Sequence, residues 1–228
     1  MSVLGNDSEL ILVRHTETIF NEMGIITGKM DIPLSEKGII SARYLQRILS
    51  NERIDFVFVS SLFRTKQTAI IALKVYCEEN GVIPVISTIM PPNSNNNDFD
   101  ILPFIVDKSI DERDYGLCEG VSKNNLITSY GKEQVWKWRR SWDIAPPNGE
   151  AFVDVFNRVK SFMNKQVIPL LKEGKNIVVF GHANSLRALI VLIENISPND
   201  VDTVAFYNGE RKKYYYNKYK SEFVIAHT

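Results

Sequence analysis

The apolar residues of this chain gather in short runs, among them Leu10–Val13, Phe56–Val59, Val82–Ile86 and Ile177–Gly181. Each is too short for a helix, rich in β-branched or aromatic residues and bounded by polar or turn-forming positions, the pattern of a buried strand. Between the runs the period becomes helical. Ser35 can cap a helix from Glu36 to about Leu49, with Ala42, Leu45 and Leu49 on one face. After Ser60-Ser61 a second helix runs to about Glu79, closed by Asn80-Gly81. Pro91–Asp100 is asparagine-rich and of low complexity, which predicts a surface insertion. Glu112–Lys123 reads as a loop containing Gly116 and Gly120. Two helices follow, around Asn124–Tyr130 and Lys132–Trp142, and the spacing of Val135, Trp138 and Trp142 predicts one packed face. A long amphipathic helix is expected over Phe152–Lys172, with Phe152, Phe156, Val159, Met163 and Ile168 on one side and Gly174 as its stop. A last helix spans about Asn184–Glu194. The tail Thr203–Ile225 alternates and is rich in tyrosine, as in a hairpin or an edge strand guarded by lysines. Strands alternating with helices predict an α/β fold, a layered sandwich with a mostly parallel central sheet flanked by helices. The expected unit is one domain over residues 1–228, with the insertion and a small helical subdomain at about 90–150.

Composition narrows the function. Of 228 residues, 27 are Lys or Arg and 27 are Asp or Glu, so there is no general field to draw nucleic acid or an acidic membrane. Arg211-Lys212-Lys213 beside Tyr214-Tyr215-Tyr216 fits a strand better than a nucleic-acid patch. Cys77 and Cys118 have neither metal nor redox spacing, Met1–Asp7 lacks a leader pattern, and no apolar run is long enough to span a bilayer. The expectation is a reduced, cytoplasmic protein.

Chemistry enters at the strand ends. The first run ends in Arg14-His15 and the last is followed by His182, so two of three histidines emerge where ligands bind in open α/β sheets. Arg64 follows the second strand, and Glu112 lies in a loop. Two arginines and two histidines converging on one point make an oxyanion site, because guanidinium forks match phosphate oxygens two at a time. A histidine can act as nucleophile when one ring nitrogen is unprotonated and the other is held by an acceptor. A carboxyl such as Glu112 can protonate the leaving oxygen and later deprotonate the acceptor. The arginines would repel a metal cation, and no carboxylate or cysteine stands at ligand spacing from either histidine, so no metal is expected.

Leu12-Val13-Arg14-His15-Thr16-Glu17 resembles the signature of the histidine phosphatase superfamily. Asp31–Gly38, Glu112–Gly116, Tyr130–Asp143 and Gly181–Ala188 extend the likeness, in order, to its 2,3-bisphosphoglycerate-dependent phosphoglycerate mutase branch. The resemblance implies a phosphoglycerate mutase-like fold and a glycolytic enzyme that interconverts 2- and 3-phosphoglycerate, with a phosphatase of small phosphate esters as the alternative. His15 would carry the phosphoryl group. Arg14, Asn21, Arg64 and His182 would surround it, and Glu112 would be acid and base. Thr27, Gly28, Arg113, Tyr115, Lys123, Arg139, Arg140, Ala183 and Asn184 would bind the rest of a small phosphorylated sugar acid. 2,3-Bisphosphoglycerate would be the primer, and a homo-oligomer is compatible with the family. Thr16 and Ala183 stand where the family usually carries glycine, and Lys29 where tryptophan is common.

Overall fold

A computed structural model describes residues 7–90 and 100–226. Its strands are β1 (Ser8–Arg14), β2 (Phe56–Val59), β3 (Val82–Ser87), β4 (Asp100–Val106), β5 (Ile177–Gly181), β6 (Arg211–Asn217) and β7 (Glu222–Ile225). Its helices are α1 (Ile19–Glu22), α2 (Glu36–Leu49), α3 (Phe63–Ala72), α4 (Lys74–Asn80), α5 (Lys123–Tyr130), α6 (Lys132–Arg140), α7 (Phe152–Phe162), α8 (Ile168–Lys172) and α9 (Ala183–Ile193). The strands form one sheet in the order β3-β4-β2-β5-β1-β6-β7. Pairing is parallel from β3 through to β1 and antiparallel at β1–β6 and β6–β7.

Both faces of the sheet are covered, which is why its central strands read as continuous apolar runs rather than alternating ones. Leu10, Leu12, Phe58, Ile177 and Val179 point into a core closed by α7, α8 and α9. Ile11, Val13, Val57, Val59, Val178 and Phe180 point the other way, onto α2, α3 and α4. A third, smaller cluster joins Ile26, Tyr115, Cys118, Leu126, Val135 and Trp138. It packs α5 and α6 against the segments around Ile26 and Tyr115.

Strand β4 was not anticipated. Pro103 interrupts its apolar run, and proline ordinarily argues against an interior strand; here pairing with β2 begins at Phe104, just past it. The asparagine-rich stretch 91–99 lies outside the described residues. The helix expected from Ser60-Ser61 to Glu79 is broken at Leu73 into α3 and α4. The helix expected over Phe152–Lys172 passes through a π-helical turn at Met163–Val167. Pro169, in the first turn of α8, lacks the N–H and crowds the carbonyl a turn before it, so the helix widens there. Helix α6 stops at Arg140, and Trp142 leaves the Val135–Trp138 face to pack on Phe152 and Phe156 in the main core. The tail does form a hairpin, but β6 is interior and Tyr214 and Tyr216 are buried. The two lysines of β6 are ion-paired rather than guarding an edge: Lys212 with Glu194, Lys213 with Glu9 and Glu52.

Candidate active site

Strands β1 and β5 are neighbours, with Arg14 in register with Gly181. From β1 the chain returns to β2 on one side; from β5 it crosses to β6 on the other. The gap between their carboxyl ends is therefore a topological switch point, where open α/β sheets bind ligands. His15 and His182 are the first residues beyond these two ends. The His15 N–H donates to the Gly181 carbonyl (3.1 Å), and the two imidazole centroids are 5.0 Å apart.

The hydrogen bonds assign both tautomers. Nδ1 of His15 lies 2.7 Å from the Thr16 carbonyl oxygen, which can only accept, so Nδ1 carries the proton and Nε2 keeps its lone pair. Nδ1 of His182 faces Arg64 Nε at 3.2 Å; arginine can only donate, so this nitrogen accepts. In the neutral ring Nε2–H then donates to Ser60 Oγ at 2.7 Å, and Ser60 is tied to Thr65 Oγ1. Burial, followed by the positive charge of Arg64 and other cations nearby, pushes both imidazoles well below the ordinary histidine range. Both are thus neutral at neutral pH, and His15 Nε2 is free to act as a nucleophile.

The arginines are held from behind. Arg64 donates Nη1 to the Met30 carbonyl and Nη2 to the Gly28 carbonyl, both at 2.8 Å. Arg14 donates Nη1 to the Phe206 carbonyl, while its buried Nε has no partner among the described residues. Glu112 is 7% exposed, and its Oε1 accepts from Arg113 N (2.8 Å), Asn184 N (3.2 Å) and Asn184 Nδ2 (3.1 Å). Arg158 on α7 grips the loop around Glu112, donating to the carbonyls of Ser109, Asp111 and Glu112 while paired with Glu150.

A cavity of about 120 Å³ opens over His15. It is lined by Arg14, Asn21, Thr27, Gly28, Arg64, Glu112, Tyr115, Lys123, Arg139, Ala183 and Asn184 as well. An outer chamber of about 330 Å³ shares Arg14, Lys123 and Arg139 and adds Arg140, Arg187, Tyr207 and Asn208. Adjacent residues of α6 thus divide: Arg139 reaches both spaces, Arg140 only the outer one. His182 lies beneath His15, fully buried. Arg113, expected beside the ligand, is absent from both linings; its fully buried side chain donates to the carbonyls of Glu150 and Trp138 and lies over the Tyr115 ring. Gly28 has φ +51°, a left-handed conformation that favours glycine, and a Cβ there would push the Glu119 carboxylate off the N–H groups of Lys29 and Tyr115. Burial and the charges of Arg139, Arg14 and Arg140 lower the pKa of Lys123.

Sequence reasoning missed Ser60, Arg187 and Asn208. Asn208 Nδ2 contacts the carbonyls of His15 and Thr16 and the Asn21 Oδ1, bracing the turn that holds His15. Ser60 and Asn208 owe their roles to contacts distant in sequence, and Arg187 to its place one helical turn after Asn184.

Fold and site together define an α/β protein with two neutral histidines and two arginines gathered at the switch point of its sheet. The comparisons with known proteins give the family. Residues 10–80 and 93–226 match the model of the histidine phosphatase superfamily (branch 1), and the chain belongs to that superfamily. It is 34% identical over 216 residues to the 2,3-bisphosphoglycerate-dependent phosphoglycerate mutase of Chlamydia muridarum, covering 92% of this chain and 95% of that one. It is 33% identical to 2,3-bisphosphoglycerate-dependent phosphoglycerate mutase 1 of Arabidopsis thaliana, covering 90% of this chain and 63% of that longer protein. Among solved structures, the α-ribazole phosphatase of Shigella flexneri shares the fold, with a TM-score of 0.73 at 22% identity over 96% of this chain and 94% of that one.

Proposed function

We propose that the protein is a phosphoglycerate mutase that interconverts 2- and 3-phosphoglycerate through a phosphohistidine at His15, as a cytoplasmic enzyme of glycolysis. The observation that carries this reading is the pairing of two adjoining spaces, each lined by several cationic side chains. A hydrolase needs only the inner one, over His15. The outer chamber, with Lys123, Arg139 and Arg140, suits the carboxylate and second phosphate of a sugar acid that must be kept and turned over between two transfers.

His15 Nε2 attacks phosphorus as the bond to the ester oxygen breaks. The electron pair of that bond takes a proton from Glu112. Arg14 and Arg64 spread the charge of the moving phosphoryl group, the term that dominates such transfers. For return to the other hydroxyl, the Glu112 carboxylate takes its proton and the sequence reverses. 2,3-Bisphosphoglycerate, when bound, supplies the phosphoryl group that first loads His15. Its two ends fit the residues present: Arg14 and Arg64 at one, Lys123, Arg139 and Arg140 at the other. Arg14 Nε and Thr27 Oγ1, in residues that line the cavity, are moreover buried polar atoms without partners among the described residues.

The test is a mutase assay with each phosphoglycerate, with and without primer, beside hydrolysis of an aryl phosphate. Primer-dependent interconversion faster than hydrolysis is expected. Arg140→Ala should lower interconversion by roughly 100-fold, by analogy with a lost oxyanion donor, and aryl phosphate hydrolysis far less. Hydrolysis without interconversion in the wild type would favour the phosphatase.

A further inference from the structure

Arg187 of α9 belongs to none of the roles assigned so far. It is 4% exposed, and its guanidinium lies 4.9 Å from the centre of the Phe152 ring. Nη2 donates to the Val201 carbonyl, and Nη1 donates to Asn184 Oδ1 at 3.1 Å. Burial and the nearby Arg140 lower its pKa to about 10, so it is still a cation at neutral pH.

A guanidinium has no acceptor. Its bond to Asn184 therefore fixes which way that amide points: oxygen toward Arg187, NH₂ toward Glu112. The NH₂ group duly donates to Glu112 Oε1 (3.1 Å) and meets the Tyr115 hydroxyl (3.3 Å). With the N–H groups of Arg113 and Asn184, Oε1 faces three donors. A proton has no place on it. The reversed amide would set Oδ1 against Oε1, two acceptors in contact in a buried site, and leave Arg187 facing an NH₂ group.

We propose that Arg187 is a positioning residue for proton transfer: by fixing the Asn184 amide it saturates Glu112 Oε1 and assigns the transferable proton to Oε2. The proposal rests on Glu112 acting as acid in transfer to His15. As the His15 Nε2 lone pair forms the P–N bond, the P–O bond breaks and its electron pair takes the Oε2 proton. Without Arg187 the amide oxygen loses its anchor, the NH₂ group is held toward Oε1 from one end only, and the carboxyl no longer presents one proton in one fixed direction.

The readout is the dependence on leaving group, which a merely structural role would not move. An alkyl oxygen needs the proton, whereas 4-nitrophenolate departs without it. Single-turnover transfer to His15 is measured at saturating donor, from 2,3-bisphosphoglycerate and from 4-nitrophenyl phosphate. Arg187→Met should slow the first by about 30-fold, a partial loss of the roughly 100- to 10,000-fold that a general acid contributes, and the second by less than about threefold. Asn184→Ala should slow the first at least as much, and the double variant should be no slower than the worse single one, since the two act as a unit. Arg187→Lys, which keeps a donor, should recover part of the loss; it also serves if the methionine variant fails to fold, as checked by circular dichroism. Equal slowing of both donors, or effects that multiply in the double variant, would overturn the proposal. If the wild type transfers from neither donor to His15, the underlying reading of the site falls, and this inference with it.

Discussion

His15 and His182 lie buried between two arginines, and the folded protein pays for any proton on either ring. That gives a stability signature. Because both pKa values are depressed on folding, the unfolded chain takes up protons near the ordinary imidazole value of about 6.5 that the folded chain refuses. Above that value both states are neutral and the full stability is present. Below it, each histidine removes up to about 1.4 kcal/mol per pH unit until its folded pKa is reached. Melting temperature should therefore fall between pH 7 and pH 5, and His15→Asn should flatten that fall relative to the wild type. The comparison separates the histidines from carboxylates that titrate in the same range. An unchanged slope in the variant would mean that His15 is not held neutral by its surroundings. At this scale the sequence was informative where residue type and position coincide: a charged pair such as Arg14-His15 at the end of an apolar strand has no packing reason to be there. Ser60, Asn208 and Arg187 are ordinary residues in ordinary elements, and only their partners, across the sheet or on other turns, single them out.

Helix α2 begins against the segment that follows His15. Ser35 caps it, accepting from the Gly38 N–H, and the Ser35 N–H itself donates to the Glu17 carbonyl. Gly38 is buried there, and a Cβ at this position would collide with the Glu17 carbonyl oxygen. Glycine within an exposed helix costs about 1 kcal/mol relative to alanine, so propensity alone predicts that Gly38→Ala stabilises. The contact reverses the sign. Overpacking should instead destabilise by roughly 1–3 kcal/mol, and displacement of Glu17 and Thr18 should lower turnover. Urea unfolding with steady-state kinetics checks both, and a stabilised, fully active variant would show that α2 does not hold this turn. The elements themselves were largely legible, because buried strands and amphipathic helices carry their periods openly. The misses came from competing signals. Pro103 disguised β4, Pro169 forced a widened turn into a helix with an unbroken apolar face, and Trp142 exchanged its helical spacing for contacts with Phe152 and Phe156.

Across the whole molecule, the order of strands brings residues from both ends of the chain together. His15 and Arg14 come from β1, Arg64 from α3, Glu112 from the loop held by α7, and His182 and Asn184 from the start of α9. Alternating strands and helices were enough to predict a mostly parallel sheet. They could not give its order, and so could not show that β1 and β5 are adjacent or that an outer basic chamber joins the inner cavity. The central claim is that His15 receives the phosphoryl group. The most direct test is incubation with 2,3-bisphosphoglycerate labelled in its phosphates, followed by mass spectrometry of the quenched protein. The account predicts one acid-labile, base-stable phosphoryl group on His15, absent in a folded His15→Ala variant and lost when a phosphoglycerate is added. Label on any other residue, or undiminished turnover in His15→Ala, would contradict it.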